Sequence, residues 1–125
     1  MNEYEEIRKE IDIYLMKRFK YRRSLVYMTP DNIVTTRRNS RVDLYLRIRK
    51  VKSLFPPDCF IIARISFEKE RIGHGSHFVG FLAESALKYG FKHIGIESTN
   101  HKSREFAEKL GFQSIDGSNY AVSVE

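Results

Sequence analysis

Residues 70 to 76 read Glu70-Arg71-Ile72-Gly73-His74-Gly75-Ser76 and stand between an apolar run ending near Phe67 and an amphipathic run starting near His77. Two glycines one residue apart, just ahead of a helix, let the chain curl so that successive backbone N–H groups point into one concavity. The positive end of the helix dipole adds to the attraction for an anion held there. The chemistry on offer is phosphate binding by backbone, although Gly-x-Gly before a helix also serves as an ordinary tight turn. The histidines His74, His77, His93 and His101 raise the question of a metal. No metal site is expected, because His74 and His77 lack a carboxylate or cysteine at ligand spacing and the other two border a different strand. Cys59 is the sole cysteine; it excludes an internal disulfide and a four-cysteine zinc site, and beside an apolar strand it reads as a small buried residue.

The elements that must position this loop follow from periodicity. Ile7, Ile11, Tyr14, Leu15 and Phe19 place one apolar face on a helix over about residues 4 to 20. A short strand over 24 to 28, closed by the turn Thr29-Pro30-Asp31-Asn32, has a partner over 33 to 36. Residues 41 to 49 alternate strictly, with Val42, Leu44, Leu46 and Ile48 on one face and Arg47 and Arg49 on the other, which predicts a half-buried strand. Pro56-Pro57 interrupts, and residues 60 to 67 read as a further strand. Val79, Leu82, Ala83 and Ala86 then form a helical stripe ending at Tyr89-Gly90. A strand over 92 to 97 follows, then a helix opened by Asn100 and stopped by Gly111, with Phe106, Ala107 and Leu110 facing inward. Residues 112 to 124 look like a closing hairpin around Asp116-Gly117, with a loop longer than two residues. Strand, helix, strand in the second half implies a parallel crossover, whereas the first half suggests an antiparallel meander. The expected architecture is α/β: a mixed, mostly antiparallel sheet with a central parallel pair and helices on both faces.

At 125 residues the chain fits one domain with its own core, spanning residues 1 to 125. No apolar run approaches the about 20 residues that cross a bilayer, and the acidic start Met-Asn-Glu-Tyr-Glu-Glu does not resemble a secretory signal, so a cytoplasmic location is expected. The net charge of +6 is uneven: residues 1 to 59 hold 14 Lys/Arg against 8 Asp/Glu, and residues 60 to 125 hold 8 against 8. The clusters Lys17/Arg18/Lys20/Arg22/Arg23, Arg37/Arg38/Arg41 and Arg47/Arg49/Lys50/Lys52 suit an acidic partner, nucleic acid or cofactor phosphates, or else form a solvated basic face.

The strand, the Gly73-x-Gly75 loop, the helix, the second strand, Asn100 and Phe106-Ala107-Glu108-Lys109-Leu110-Gly111-Phe112, in this order, resemble the GNAT superfamily of acetyl-CoA-dependent N-acetyltransferases. The likeness covers about residues 60 to 124, and residues 1 to 59 share only the arrangement. It implies that the parallel pair splays around the cofactor and that backbone N–H groups of Arg71, Ile72, Gly73, His74, Gly75 and Ser76 hold the pyrophosphate of coenzyme A. It places Ile65 where strand backbone holds the thioester carbonyl and Asn100 against the pantetheine arm. Phe67, Ser103 and Phe106 complete the cofactor-binding set. The family pattern opens with Gln or Arg where this chain has Glu70, a departure for which the neighbouring Arg71 compensates.

The reaction implied is direct attack of a neutral amine on the thioester, with a general base to take the proton and backbone N–H groups to stabilise the oxyanion. Glu97 is the first candidate base and Glu68 the second; a solvated strand-end role is the alternative for each. Many family members carry a tyrosine four residues before the glycine that ends the last helix, as the acid for the departing thiolate. Here that position is Ala107, which leaves Tyr120, Ser103, water or no group. Tyr27, Tyr45 and Tyr120 either line an acceptor pocket or pack. The expected partner is a primary amine on a small molecule or a protein, with no membrane partner and nucleic acid less favoured. Strand edges allow a homodimer. The competing reading is an acyl-CoA-binding or catalytically weak module whose basic first half contacts nucleic acid or an acidic protein, a contact that salt should weaken steeply.

Overall fold

Strict alternation decides the middle of the molecule: residues 42 to 49 bury Val42, Leu44, Leu46 and Ile48 and leave the residues between them half-buried, as a strand with one face on a core must. The computed structural model describes residues 2–37, 41–67, 73–97 and 99–125. Its elements in chain order are α1 (Glu3–Phe19), β1 (Val26–Met28), β2 (Ile33–Thr36), β3 (Val42–Arg49), β4 (Cys59–Phe67), α2 (His74–Lys88), β5 (His93–Ile96), α3 (His101–Lys109), β6 (Gln113–Asp116) and β7 (Asn119–Ser123). The strands form one sheet in the order β1-β2-β3-β4-β5-β7-β6. Neighbours pair antiparallel except β4 and β5, which are parallel across the α2 crossover.

The expected elements are present; β1 begins at Val26, two residues later than expected, and two further boundaries shift. The helix α2 begins at His74, three residues ahead of the amphipathic run, so Gly75 and Ser76 lie inside its first turn. The closing hairpin has a two-residue loop, Gly117-Ser118, because Asp116 pairs directly with Asn119; Asp116 ends a strand and does not belong to the turn.

Burial fixes the layers. Ile7, Ile11 and Leu15 of α1, Phe78 and Leu82 of α2, and Leu44, Leu46, Phe60, Ile62 and Ile94 of the sheet share one core, which Ala107 and Phe112 join. Tyr14 of α1 stacks on Phe81 of α2 with ring centroids 4.3 Å apart. Asp12 pins β1 to α1: its Oδ1 accepts from the backbone N–H of Leu25 at 2.7 Å and of Val26 at 3.2 Å, and its Oδ2 accepts from Ser24 Oγ at 2.6 Å. Helical cover is concentrated on this face. On the other, Phe55 from the β3–β4 connection packs with Cys59, Ile61 and Ala121. A Cβ on Gly95 would stand 2.5 Å from the Phe55 ring, so glycine at that position admits the plug.

The feature that prepares a site is where β4 and β5 part. Their pairing runs from Cys59↔His93 to Ile62↔Ile96, and the Glu97 N–H donates to the Ile62 carbonyl at 3.0 Å. Strand β4 continues to Phe67 with no strand partner on that side among the described residues. Against β3, Leu46 opposes Ile62 and Tyr45 opposes Arg64, which makes Ala63 an inserted residue. Such a bulge bends and twists a strand locally, and here it falls where the gap opens.

Candidate functional site

A cleft of about 590 Å³ follows from this parting. Its walls are Ile65, Ser66 and Phe67 of β4, Gly73, His74, Gly75 and Ser76 at the start of α2, and Asn100, Lys102, Ser103, Phe106 and Lys109 of α3 and its cap. The structure thus brings Ile65, Phe67, Gly73, His74, Gly75, Ser76, Asn100, Ser103 and Phe106 together in one place. Arg71 and Ile72 lie outside the described residues, as do Glu68 and Glu70. A second, smaller cleft of about 320 Å³ lies between α1 and β1; its Arg8 is bound to Glu5 at 2.7 Å and to Asp12 at 3.3 Å.

The start of α2 is open. Gly73 takes φ +77°, a left-handed backbone that glycine adopts without cost. It offers no side-chain cap, and the first turn holds no acidic residue. The first helical bond runs from the His77 N–H to the Gly73 carbonyl at 3.0 Å, so the N–H groups of His74, Gly75 and Ser76 precede the ladder and face outward from the helix end. The reason for Gly75 is space: a Cβ there would stand 3.1 Å from Phe106 Cζ. Phe106 lies against the first turn, and Gly75 admits it.

By contrast, α3 closes its own end. Asn100 Oδ1 accepts from the Ser103 N–H at 2.9 Å, and Ser103 Oγ accepts from the Asn100 N–H at 2.9 Å, a reciprocal capping box. Both expected roles of Asn100 are compatible, since the cap uses its oxygen and not its amide N–H groups. The Ser103 hydroxyl is engaged in the same box, which weakens it as a proton donor to a thiolate.

Positive charge gathers at the cleft from Arg18, a member of the first basic cluster, and from two lysines outside all three clusters. Lys102 and Lys109 line it with Phe106; the spacing 102, 106, 109 is i, i+4, i+7, one face of a helix, and that stripe was a readable signal. Arg18 arrives from α1, its Nε donating to His74 Nδ1 at 2.9 Å. The His74 ring rests against Phe19 and Phe67, centroids 4.6 and 5.5 Å away. Burial first, then the charges of Arg18 and His77, hold its pKa below the ordinary value of 6.5, so His74 is neutral at pH 7, with Nδ1 as acceptor.

The expected acid and base groups stand apart from this wall. The Glu97 side chain follows the last paired residue of β5, and its Oε1 accepts from Arg47 Nε at 2.8 Å, with side chains 25% and 32% exposed. The pair raises the pKa of Arg47. Tyr120 is 4% exposed, and its hydroxyl donates to Glu108 at 3.1 Å. Burial, then that bond, pushes its pKa up; it is not among the residues that line the cleft. Ala107 is fully buried in the core. Tyr45 faces away from the cleft wall, between two guanidinium groups, and Tyr27 is an exposed ring on β1 beneath Arg37. Cys59 is buried, and its thiol is pushed up to about 12 by burial, so it cannot serve as a nucleophile at neutral pH. Among the described residues no group of three His, Cys, Asp or Glu side chains could hold a metal ion, and no helix is long and apolar enough to cross a membrane.

No protein-family model matches the chain, and no curated protein matches it either. Solved structures do. A candidate N-acetyltransferase from Lactobacillus plantarum superposes with TM-score 0.57 at 14% identity, covering 74% of this chain and 67% of that one. An acetyltransferase of the GNAT family from Staphylococcus aureus Mu50 gives 0.55 at 11% identity and covers 100% and 96%. The AtaTR structure bound with acetyl-CoA gives 0.54 at 16% identity, covering 87% and 71%. The chain, whose seven-stranded sheet has its parallel pair part at Ile62 and Ile96 beside the start of α2, superposes on these structures and has the GNAT acetyltransferase fold.

Proposed function

We propose that this protein is a GNAT-superfamily N-acetyltransferase that moves an acetyl group from acetyl-CoA to a primary amine. The observation that carries the reading is the uncapped start of α2, with three N–H groups ahead of the helical ladder, facing a cleft walled by the free edge of β4. Backbone donors at a helix start, with Lys102, Lys109 and Arg18 nearby, suit a pyrophosphate. In this reading Arg71 and Ile72 belong to the cofactor-binding set. Ile65 and Phe67 border the gap in which the pantetheine arm lies, and the Asn100 amide reaches the arm from the opposite wall.

Bound acetyl-CoA supplies an activated acetyl group with a thiolate as leaving group. The amine nitrogen bonds to the carbonyl carbon as the C–S bond breaks, the amine's surplus proton goes to Glu97 directly or through water, and the thiolate takes a proton from solvent. Glu97 is favoured over Glu68 as base because it stands where β4 and β5 part. The absence of a tyrosine at Ala107 and the engagement of Ser103 and Tyr120 elsewhere leave water as the acid. A high thiol pKa at Cys59 supports direct attack over an acyl-cysteine intermediate.

The module reading, a basic first half that holds nucleic acid, is less well supported. Arg47 is paired with Glu97, Lys50 with Glu3, and Arg41 donates to the Phe19 carbonyl. Calorimetric titration with acetyl-CoA and with the same compound lacking the pyrophosphate tests the proposal. Micromolar binding that needs the pyrophosphate, followed by thiol release on adding amines, is the expected result; no binding at either compound overturns it.

A further inference from the structure

The sheet face opposite the helices carries a charged network across three strands. Arg64 Nε donates to Asp43 Oδ2 at 2.7 Å, and Arg47 Nε donates to Glu97 Oε1 at 2.8 Å. The Tyr45 ring lies between the two guanidinium groups, with Arg47 Cζ 5.1 Å and Arg64 Cζ 5.3 Å from its centroid. Pairing places these residues together: Tyr45 opposes Arg64, and Asp43 and Arg47 flank Tyr45 at alternate positions of β3. The Ala63 bulge and the last β4–β5 contact, at Ile62 and Ile96, set the network beside the floor of the gap, on the side away from the α2 cradle.

We infer that this network is the acceptor subsite and that it takes an α-amino acid, with the amine against Glu97 and the carboxylate against the Arg47 and Arg64 guanidinium groups. The inference rests on the proposed transferase reading and deepens it. Charge balance selects the class: two cations and two anions sum to zero, so a polyamine would meet Arg47 and Arg64, and a polyanion would meet Asp43 and Glu97. A zwitterion meets an opposite charge at each end. Arg47 and Glu97 display their charges 2.8 Å apart, a separation comparable to that between the amine and the carboxylate on one α-carbon, so an α-amino acid replaces their mutual contact with one bond to each. Guanidinium groups suit this task because their planar fork receives a carboxylate through two N–H donors, and Tyr45 holds both forks by cation–π contact. The products are the N-acetyl amino acid and free coenzyme A.

The test uses the full chain and two readouts. Acetyl-CoA binding is measured first by calorimetry, and its absence overturns the transferase reading together with this one. With binding intact, thiol release is compared for L-phenylalanine, phenylalanine amide and phenethylamine, and for α-alanine, β-alanine and 4-aminobutyrate. The expected kcat/KM falls at least tenfold on loss of the carboxylate, and falls stepwise as the carboxylate recedes from the amine. Titration of L-phenylalanine and phenethylamine onto the protein saturated with coenzyme A should give the same preference without turnover. Arg64→Gln should reduce the preference for the acid over the amine several-fold by raising KM for the amino acid, and Arg64→Lys should restore part of it. Phenethylamine or the amide used as well as the free amino acid, or no amino acid used while other amines are, overturns the acceptor subsite and leaves the transferase reading standing.

Discussion

Helices α2 and α3 bring their first residues to one cleft, and each begins with histidine, His74 and His101. They finish their ends in opposite ways. α3 satisfies itself: Asn100 and Ser103 close a capping box, and His101 faces Glu105 one turn on, at 3.1 Å. α2 has a glycine cap in left-handed backbone, no side-chain cap, and a histidine that accepts from Arg18. An N-cap side chain is worth about 1 kcal/mol to a helix, so α2 forgoes stability that α3 keeps. Under the proposed function, the difference separates a scaffold wall from a receptor wall. α3 supplies side chains from a finished helix, whereas α2 supplies its own unpaired backbone N–H groups.

The strongest way to break the contrast is to fill the open end. Gly75→Glu puts a carboxylate and its bulk into the first turn of α2, against Phe106. Acetyl-CoA affinity by calorimetry should fall at least about a hundredfold, equivalent to about 2.7 kcal/mol. Gly75→Ala controls for packing: its methyl meets only the edge of the Phe106 ring, at 3.1 Å, which a small ring movement relieves, and binding should persist. Equal loss in both variants would assign Gly75 to packing alone.

A gentler change adds a negative charge to the open end of α2. Ser76 is exposed in the first turn, and Ser76→Glu gives that turn the acidic residue it lacks. The helix end should gain about 0.5 kcal/mol, seen as a rise in Tm of roughly 2 °C, while acetyl-CoA binds about tenfold more weakly, about 1.4 kcal/mol. Stability and affinity moving in opposite directions is the signature of a helix end kept open for an anion. A variant that gained stability at unchanged affinity would remove the α2 end from the site.

The converse change separates the two roles of Asn100. Asp caps about as well as Asn, so Asn100→Asp should leave urea stability within about 0.5 kcal/mol of the parent. It should still weaken acetyl-CoA binding several-fold, because the amide donor is lost and a negative charge faces the cofactor. Asn100→Ala should lose about 1 kcal/mol of stability as well. If Asn100→Asp binds like the parent, Asn100 is a cap only.

What the sequence disclosed and withheld follows the range of each interaction. The period-two pattern of residues 42 to 49 and the stop at Gly111, with φ +87°, depend on neighbours in the chain and were readable. The start of α2 was read three residues late because His74, Gly75 and Ser76 have poor helix propensity and its buried stripe begins only at Phe78; backbone geometry at Gly73, and not a side-chain signal, sets that boundary. The glycine start of α2 and the Asn100 cap of α3 were legible since each is a local motif. Arg18 meets His74 from 56 residues away and Arg47 meets Glu97 across 50, pairings that only the sheet order decides. Glu97 stands out in the sequence for its strand-end position, whereas its ion pair, which ties it to β3, depends on the sheet order. The net positive charge of the first half drew attention to Arg47 as a phosphate or partner contact, yet Lys102 and Lys109, from the neutral second half, are the lysines that line the cleft.

The smallest expected effect probes the two histidines through pH. The native pKa of His74 is lowered from 6.5 by burial, Arg18 and His77, so the unfolded chain takes the proton first as pH falls. Its contribution to stability is therefore complete above about pH 6.5 and is lost as pH falls toward the lowered native value, below which it levels off. Urea midpoints between pH 7.5 and 5 should decline less steeply for His74→Gln than for the parent. Acetyl-CoA affinity should run the other way, tightening as pH falls through the same window, because bound phosphate favours the protonated ring and binding then takes up a proton. His101→Gln should change neither slope in affinity, since His101 is exposed beside Glu105 and does not line the cleft. Parallel pH slopes in binding for the His74→Gln and His101→Gln variants would mean that the two helix starts do not differ toward the anion, and the distinction between scaffold and receptor would fail at the residue where the helices are most alike.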